Sequence, residues 1–428
     1  MSFGRTFRTA IMLSRMATPL RKDYLRRLLR RQPVERTLTT EVKVPHFGGS
    51  ERLYGLAPGT VLDSGPLDML GLHSRLNPGK ATRFEYVTTD SNGRGLTATA
   101  SFVQSRSPWE VAGPRPVIAY APSTQGVAQH CDPSHTAAIG FKLFLSKPYD
   151  AIMAYELPVI LHLLQRGCDV VFIDYPRDPD AGIQYYVDHI TAGQSLFDAV
   201  RAAQSLGLPT NAPVIVWGFS QGGGAAGWCV ENTDYAPELR VEAAVVGAPP
   251  STLQDVMEHV DGSLVVGTLA YSIAGLMIQS QDMWEELWPL FNEHGKQQIM
   301  ANITTCAGGT VLASGFEETR SWTVDGRSLS EIASHSASIS AALGRQELGA
   351  KAPRVPVLLW GSRNDDVIPV RQVRKLRDRW RAYRTVSVEY RESKLWRIPG
   401  RLSINHFLPY YLHIDGQLDW AFGKILPT

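Results

Sequence analysis

The stretch VIVWGFSQGGGAAGW, residues 214–228, decides the fold. Val214–Trp217 is an apolar run without alternation that leads into a serine flanked by Gly218 and Gly222, and a small-residue helix follows at once. An unalternating apolar run reads as a strand buried on both faces of a parallel sheet. The pattern G-x-S-x-G alone is weak, because Gly and Ser are common; a strand before it and a helix after it make Ser220 a candidate nucleophile. Large side chains at 218 and 222 would collide across so tight a bend. The helix aims its free N–H groups at the same point, which puts the Gln221 N–H where an oxyanion would form. The bland alternative is a serine chosen only because a turn prefers a small residue.

Outward from this stretch, strands and helices alternate. PVIAYA (116–121) and CDVVFIDY (168–175) read as buried strands, and DAIMAYELPVILHLLQRG (150–167) as a helix stopped by Gly167. TAGQSLFDAVRAAQSLG is a helix with positions 196, 197, 200 and 203 on one apolar face, and RVEAAVVGAPP is a further strand. Upstream, ATRFEYVTT and LTATASFVQ alternate around DSNGRG, a hairpin signal, and residues 37–80 read as an extended approach segment. The rhythm breaks over about 251–350, which is helical, strandless and rich in Met, Leu and Trp. It resumes with RVPVLLWG (354–361), the helix VRQVRKLRDRWRAY, the strand TVSVEY and a last helix HFLPYYLHIDGQLDWAF. The expected fold is α/β, a mostly parallel sheet flanked by helices, with a core of 37–250 and 351–428 and a helical insertion at 251–350.

A serine nucleophile needs a base and an oriented partner for that base. RVPVLLWGSRNDDVIP puts Asp365 and Asp366 just beyond an apolar strand, and His406 stands at the foot of the last helix. Asp365, four residues before Pro369, is preferred to Asp366, and His413, a rival seven residues further along, lies deeper in the helix. The other reading of His406 is a capping or core histidine. An imidazole here would take the serine proton while the carboxylate fixes its tautomer. A second oxyanion donor is expected from the loop VIAYAPSTQGVAQHCDPS, where Thr124–Gln125–Gly126 is a plausible tight turn. This chemistry calls for no metal or cofactor, and nothing in the pattern points to nucleic acid.

The net charge of +2 hides an asymmetry. Residues 1–36 carry nine Arg and one Lys against Asp23 and Glu35, a balance of +8, which leaves −6 for residues 37–428. RKDYLRRLLRRQPVER reads as a basic amphipathic helix with Leu25, Leu28 and Leu29 on one side, suited to an anionic membrane surface; the alternative is a solvated leader. The apolar run AIML is too short for a secretory signal, and no span is long enough to predict a transmembrane helix. Of four cysteines, Cys168 and Cys229 read as buried thiols, whereas Cys131 and Cys306 lie in loop-like sequence and their spacings match no zinc pattern.

Taken together, these pieces resemble the secretory lipase family, the lipase A-like triacylglycerol lipases of the α/β-hydrolase superfamily. LAPGTVLDSGPL is similar to the family's entry segment, YVTTDSNGRGLTATASFV to its first hairpin and AYAPSTQGVAQHCDPS to its oxyanion loop. GFSQGG is similar to its nucleophile elbow and DDVIP to its acid motif, so the likeness covers about residues 50–420. The resemblance implies a triad of Ser220, Asp365 and His406, and oxyanion N–H groups from Gln125 and Gln221. It also implies a disulfide between Cys131 and Cys306, a helical lid at 251–350 whose underside holds acyl chains, and export to the exterior or cell envelope. The implied activity is that of a serine carboxylester hydrolase on lipid esters, a triacylglycerol lipase or lipid esterase; the alternatives are an acyltransferase using the same residues and a catalytically silent lipid-binding protein. Two stretches depart from the family pattern: CDPS stands where relatives usually carry CAPS, and DYPRDPDAG replaces a glycine-rich turn.

Overall fold

The computed structural model describes residues 53, 55–71, 78–179 and 181–425; the basic leader 1–36, with its expected amphipathic helix, lies outside the described residues. Nine strands form one sheet: β1 (Val61–Pro66), β2 (Gly79–Thr89), β3 (Gly95–Ser105), β4 (Val117–Ala121), β7 (Asp169–Ile173), β8 (Val214–Phe219), β9 (Val241–Gly247), β10 (Val357–Ser362) and β11 (Val388–Ser393). Two further strands, β5 (Phe141–Phe144) and β6 (Asp150–Met153), pair apart from it. The sheet order is β1-β2-β3-β7-β4-β8-β9-β10-β11. The first three pairings are antiparallel and the remaining five parallel.

Every residue of β4, β7 and β8 is buried, which is why these strands lack polar alternation. Helices cover both faces, among them His189–Ser205 and Gln221–Glu231 on either side of β8 in the chain and Ile404–Ile425 after β11. In the helix His189–Ser205 the Asp188 carboxylate accepts the Thr191 N–H at 2.9 Å as an N-cap, and Leu196, Phe197, Val200 and Ala203 are fully buried. Because β4, β8, β9, β10 and β11 run parallel, the loops that leave them gather at one edge of the sheet, the edge at which open α/β sheets build their sites.

Residues 251–350 contain seven helices of seven to eleven residues and no strand; their isolated bridges join Phe291 to Thr323 and Cys306 to Gly126 of the loop after β4. They bury a core of their own, with Leu253, Met257, Ile273, Leu276 and Trp322 among its members.

The structure corrects the sequence reading in two places. The helix expected from Asp150 begins only at Leu157, and Asp150–Met153 is instead β6, paired with β5. Pro158 gives the reason: it fits a first helical turn, but a helix begun at 150 would place it in the interior, where it has no N–H to donate and its ring clashes. The approach segment also contains an unexpected edge strand, β1, held antiparallel to β2 and irregular between Val61 and Asp63.

Candidate active site

β8 ends at Phe219, and Ser220 turns the chain with φ 58° and ψ −120°, a conformation a side chain rarely adopts and one that stores strain. The turn is pinned on both sides: the Ser220 N–H donates to the Gly247 carbonyl at 3.0 Å, and the Gly224 N–H to the Ser220 carbonyl at 3.1 Å. The flanking glycines are sterically required. A Cβ on Gly218 would lie 1.9 Å from the Gly222 carbonyl oxygen, and one on Gly222 would lie 1.8 Å from the Ala121 carbonyl oxygen. The elbow therefore packs backbone to backbone against the end of β4. Gln221 is the first helical residue, so its N–H has no acceptor within the helix.

After β10, Asp365 turns back on its own loop. Its Oδ1 accepts the N–H groups of Val367 at 2.9 Å and Ile368 at 2.8 Å. The same carboxylate faces His406 Nδ1, at 2.9 Å from Oδ1 and 2.8 Å from Oδ2, with both side chains 1% exposed. Asp366 points elsewhere, its Oδ2 accepting from Asn405 Nδ2 at 3.2 Å. His413 is exposed, with its Nδ1 against the Pro409 carbonyl. Thus Asp365 is brought to His406, while Asp366 and His413 are not. The imidazole stacks on Phe219, the neighbour of Ser220, with centroids 4.5 Å apart. Its Nε2 is buried and, among the described residues, makes no hydrogen bond, to Ser220 Oγ or any other group.

The loop after β4 is held from several directions. The Gln125 carbonyl accepts the Ala307 N–H at 3.0 Å, and its side-chain oxygen accepts the Thr136 hydroxyl. Thr124 and Tyr186 share a hydrogen bond of 2.7 Å between hydroxyls, and Tyr186 meets Tyr271 of the helical insertion edge-on. Gln221 Nε2 donates to Gln184 Oε1 at 3.0 Å. Cys131 and Cys306 are joined in a disulfide that ties this loop to the insertion, and Cys168 and Cys229 are buried free thiols. His130, Cys131, Asp150 and Cys306 bring metal-binding atom types within 4.8 Å of one another. Here, however, the two sulfurs bond each other, and Asp150 accepts from the Cys306 and Gly309 N–H groups and lies 2.9 Å from His130 Nε2.

Two features went unseen in the sequence. The stretches CDPS and DYPRDPDAG meet: Arg177 donates to the Asp132 carboxylate and, through its other nitrogen, to the Val127 carbonyl of the loop after β4. Burial pushes the Asp132 carboxyl up to about 7, against the opposing pull of the Arg177 guanidinium. Glu156 is the second. It is buried beneath the loop, where its carboxylate accepts the Ser123 N–H at 3.2 Å and the hydroxyls of Ser123 and Tyr120. Burial raises its pKa while these donors lower it. A lone acid inside the apolar run AYELPVILHLL was the available signal.

The chain matches the secretory lipase family over residues 146–421. It is 25% identical over 338 residues to a probable inactive lipase of Mycobacterium tuberculosis, covering 76% of this chain and 71% of that one. It is also 25% identical over 271 residues to a secreted triacylglycerol lipase of Malassezia globosa, covering 62% of this chain and 57% of the relative. The chain thus spans a little over half to about seven-tenths of the length of these relatives. The fold is the α/β-hydrolase fold: the closed-state structure of Candida antarctica lipase A superposes with a TM-score of 0.71 at 20% identity, over 87% of this chain and 84% of that one.

Proposed function

The chain belongs to the secretory lipase family, a family of carboxylic ester hydrolases, and from that premise we propose that it cleaves lipid esters through an acyl-enzyme formed on Ser220. In the proposed reaction Ser220 Oγ attacks the ester carbonyl carbon and its proton passes to His406 Nε2. Asp365 holds Nδ1–H and stabilises the imidazolium. The N–H groups of Gln125 and Gln221 receive the charge that develops on the carbonyl oxygen. Collapse expels the alcohol, which takes the proton from Nε2. Water then attacks the acyl carbon, giving up a proton to Nε2, and the fatty acid leaves as Ser220 regains its hydrogen.

The observation that carries this reading is the pairing of a strained Ser220, at φ 58°, with a buried Asp365–His406 pair stacked on its neighbour Phe219. Nε2 is the ring nitrogen of His406 that Asp365 does not engage, and so the one available to take the serine proton. Residues 251–350 serve as the cap. What supports this is their separate core, the contact of Tyr271 with Val127 and Tyr186, and a 3.2 Å approach of His259 Nε2 to the Asp365 carbonyl oxygen. Export is proposed from the family; among the described residues no helix is long and apolar enough to cross a membrane.

The test is product analysis on a triglyceride emulsion and on nitrophenyl esters of graded chain length, with and without added alcohols. Free fatty acid in an amount insensitive to the alcohol supports a hydrolase. Ester formed with the alcohol in place of free acid would make the chain an acyltransferase.

A further inference from the structure

The loop between β11 and the helix Ile404–Ile425 carries an apolar surface that the proposed chemistry does not use. Leu395, Trp396 and Ile398 on the loop and Ile404, Leu408 and Leu412 on the helix line one groove. Large apolar groups here face solvent: Trp396 is 77% exposed, Leu412 60% and Leu408 39%. The three helix residues recur at intervals of four, so they form a single stripe, while Tyr410, Ile414 and Ala421 on the opposite side pack into the core. The surface is preformed. Asn364 Nδ2 donates to the Leu395 carbonyl at 2.7 Å, and the Asn405 amide both donates to the Ile398 carbonyl at 2.6 Å and accepts its N–H at 2.8 Å.

Charge selects the occupant. From Ser393 to Ile414 the chain carries Lys394, Arg397 and Arg401 and no Asp or Glu. Lys394 and Arg397 are exposed, and so is Arg363, whose N–H donates to the Ser393 carbonyl. The acids at the two ends are engaged: Glu392 with Arg374 at 2.8 Å, and Asp415 with His162 at 2.7 Å and Arg166 at 3.0 Å. A second copy of this face would meet cation with cation. The chain's own leader, at +8, would be repelled in the same way. An exposed Trp and an aliphatic stripe ringed by Lys and Arg fit an anionic bilayer surface, where the indole and aliphatic groups enter the headgroup region and the cations meet phosphate.

We propose that the groove formed by residues 395–398 and the outer face of Ile404–Leu412 is a docking surface for an anionic lipid bilayer. It lies at the same sheet edge as Ser220, so docking would present the site to the membrane. The proposal does not depend on the catalytic reading, because its test reads binding rather than turnover.

The test uses the full chain, co-sedimented with phosphatidylglycerol–phosphatidylcholine vesicles and with vesicles of phosphatidylcholine alone. Two double variants are compared with the parent, Lys394→Glu/Arg397→Glu and Trp396→Ser/Leu412→Ser. Each is expected to lower partition onto the anionic vesicles by about tenfold or more, with melting temperature and turnover of a soluble nitrophenyl ester unchanged. Both variants retain the basic leader, so unaltered binding would assign docking elsewhere and overturn the proposal. Equal binding of the parent to neutral vesicles would overturn it too, as would a change of oligomeric state in the Trp396→Ser/Leu412→Ser protein.

Discussion

Asp365 and Asp366 are neighbours in the chain, yet Asp365 lies 2.8 Å from His406 Nδ1 while Asp366 reaches Asn405 instead. The proposed mechanism therefore predicts a sharp asymmetry. Asn at 365 can still accept the Val367 and Ile368 N–H groups, so the loop should keep its shape while the imidazolium loses its counter-charge. Asp365→Asn should lower kcat by about 10³-fold or more, and Asp366→Asn by only a few-fold. Steady-state kinetics on one soluble ester measure both; comparable losses would remove Asp365 from its proposed role.

The Arg177–Asp132 contact predicts non-additive stability. Removing only the cation leaves a buried carboxylate unpaired, which costs about 3–5 kcal/mol. Arg177→Met should therefore be destabilised more than Arg177→Met/Asp132→Asn, and more at about pH 8 than at about pH 5, where the carboxyl is protonated. Denaturant unfolding of the single and double variants reads this, and simple additivity would show that the pair is not coupled.

The Cys131–Cys306 bond spans a sequence separation of 175 and fixes a loop whose Gly126 bridges to Cys306. Loop-closure entropy sets its expected contribution at about 2–5 kcal/mol. Cys131→Ala/Cys306→Ala should lose that much stability by chemical denaturation. It should also lose kcat, because Gln125 accepts from Ala307, next to the bridge. Full stability in the double variant would contradict this.

His189 predicts a pH dependence with a definite sign. It is buried, with Nδ1 2.8 Å from the Gln346 carbonyl, and burial lowers its pKa from 6.5 to about 4. The unfolded chain binds this proton more readily, so the contribution is complete above about pH 6.5 and falls away towards about pH 4, by about 3 kcal/mol in all. Asp132 acts in the opposite direction: its folded pKa, about 7, exceeds the unfolded 3.8, so its contribution is present at low pH and lost as pH rises through 7. His189→Gln isolates the first effect. Its melting temperature should decline less than the parent's between pH 6.5 and 4, and parallel curves would refute the assignment.

What was legible in the sequence is what local patterning controls. Unalternating runs such as Val214–Trp217 gave the buried strands, and glycines at 218 and 222 gave the tight turn, because steric exclusion acts between near neighbours. Strand order along the chain put Asp365 and His406 at a common sheet edge. The pairings of Arg177 with Asp132 and of Glu156 with Ser123 were not legible, since each joins segments whose proximity only the folded sheet creates. The β5–β6 hairpin was lost because the apolar residues of DAIMAY fit either period, although Pro158 carried the contrary signal.

The central claim is that Ser220 is the nucleophile. A fluorophosphonate probe, followed by intact-protein mass spectrometry and peptide mapping, tests it most directly. The account predicts a single covalent adduct on Ser220, formed in step with loss of ester hydrolysis, absent in Ser220→Ala and strongly slowed in His406→Ala. An adduct on another residue, or ester hydrolysis that survives in Ser220→Ala, would contradict it.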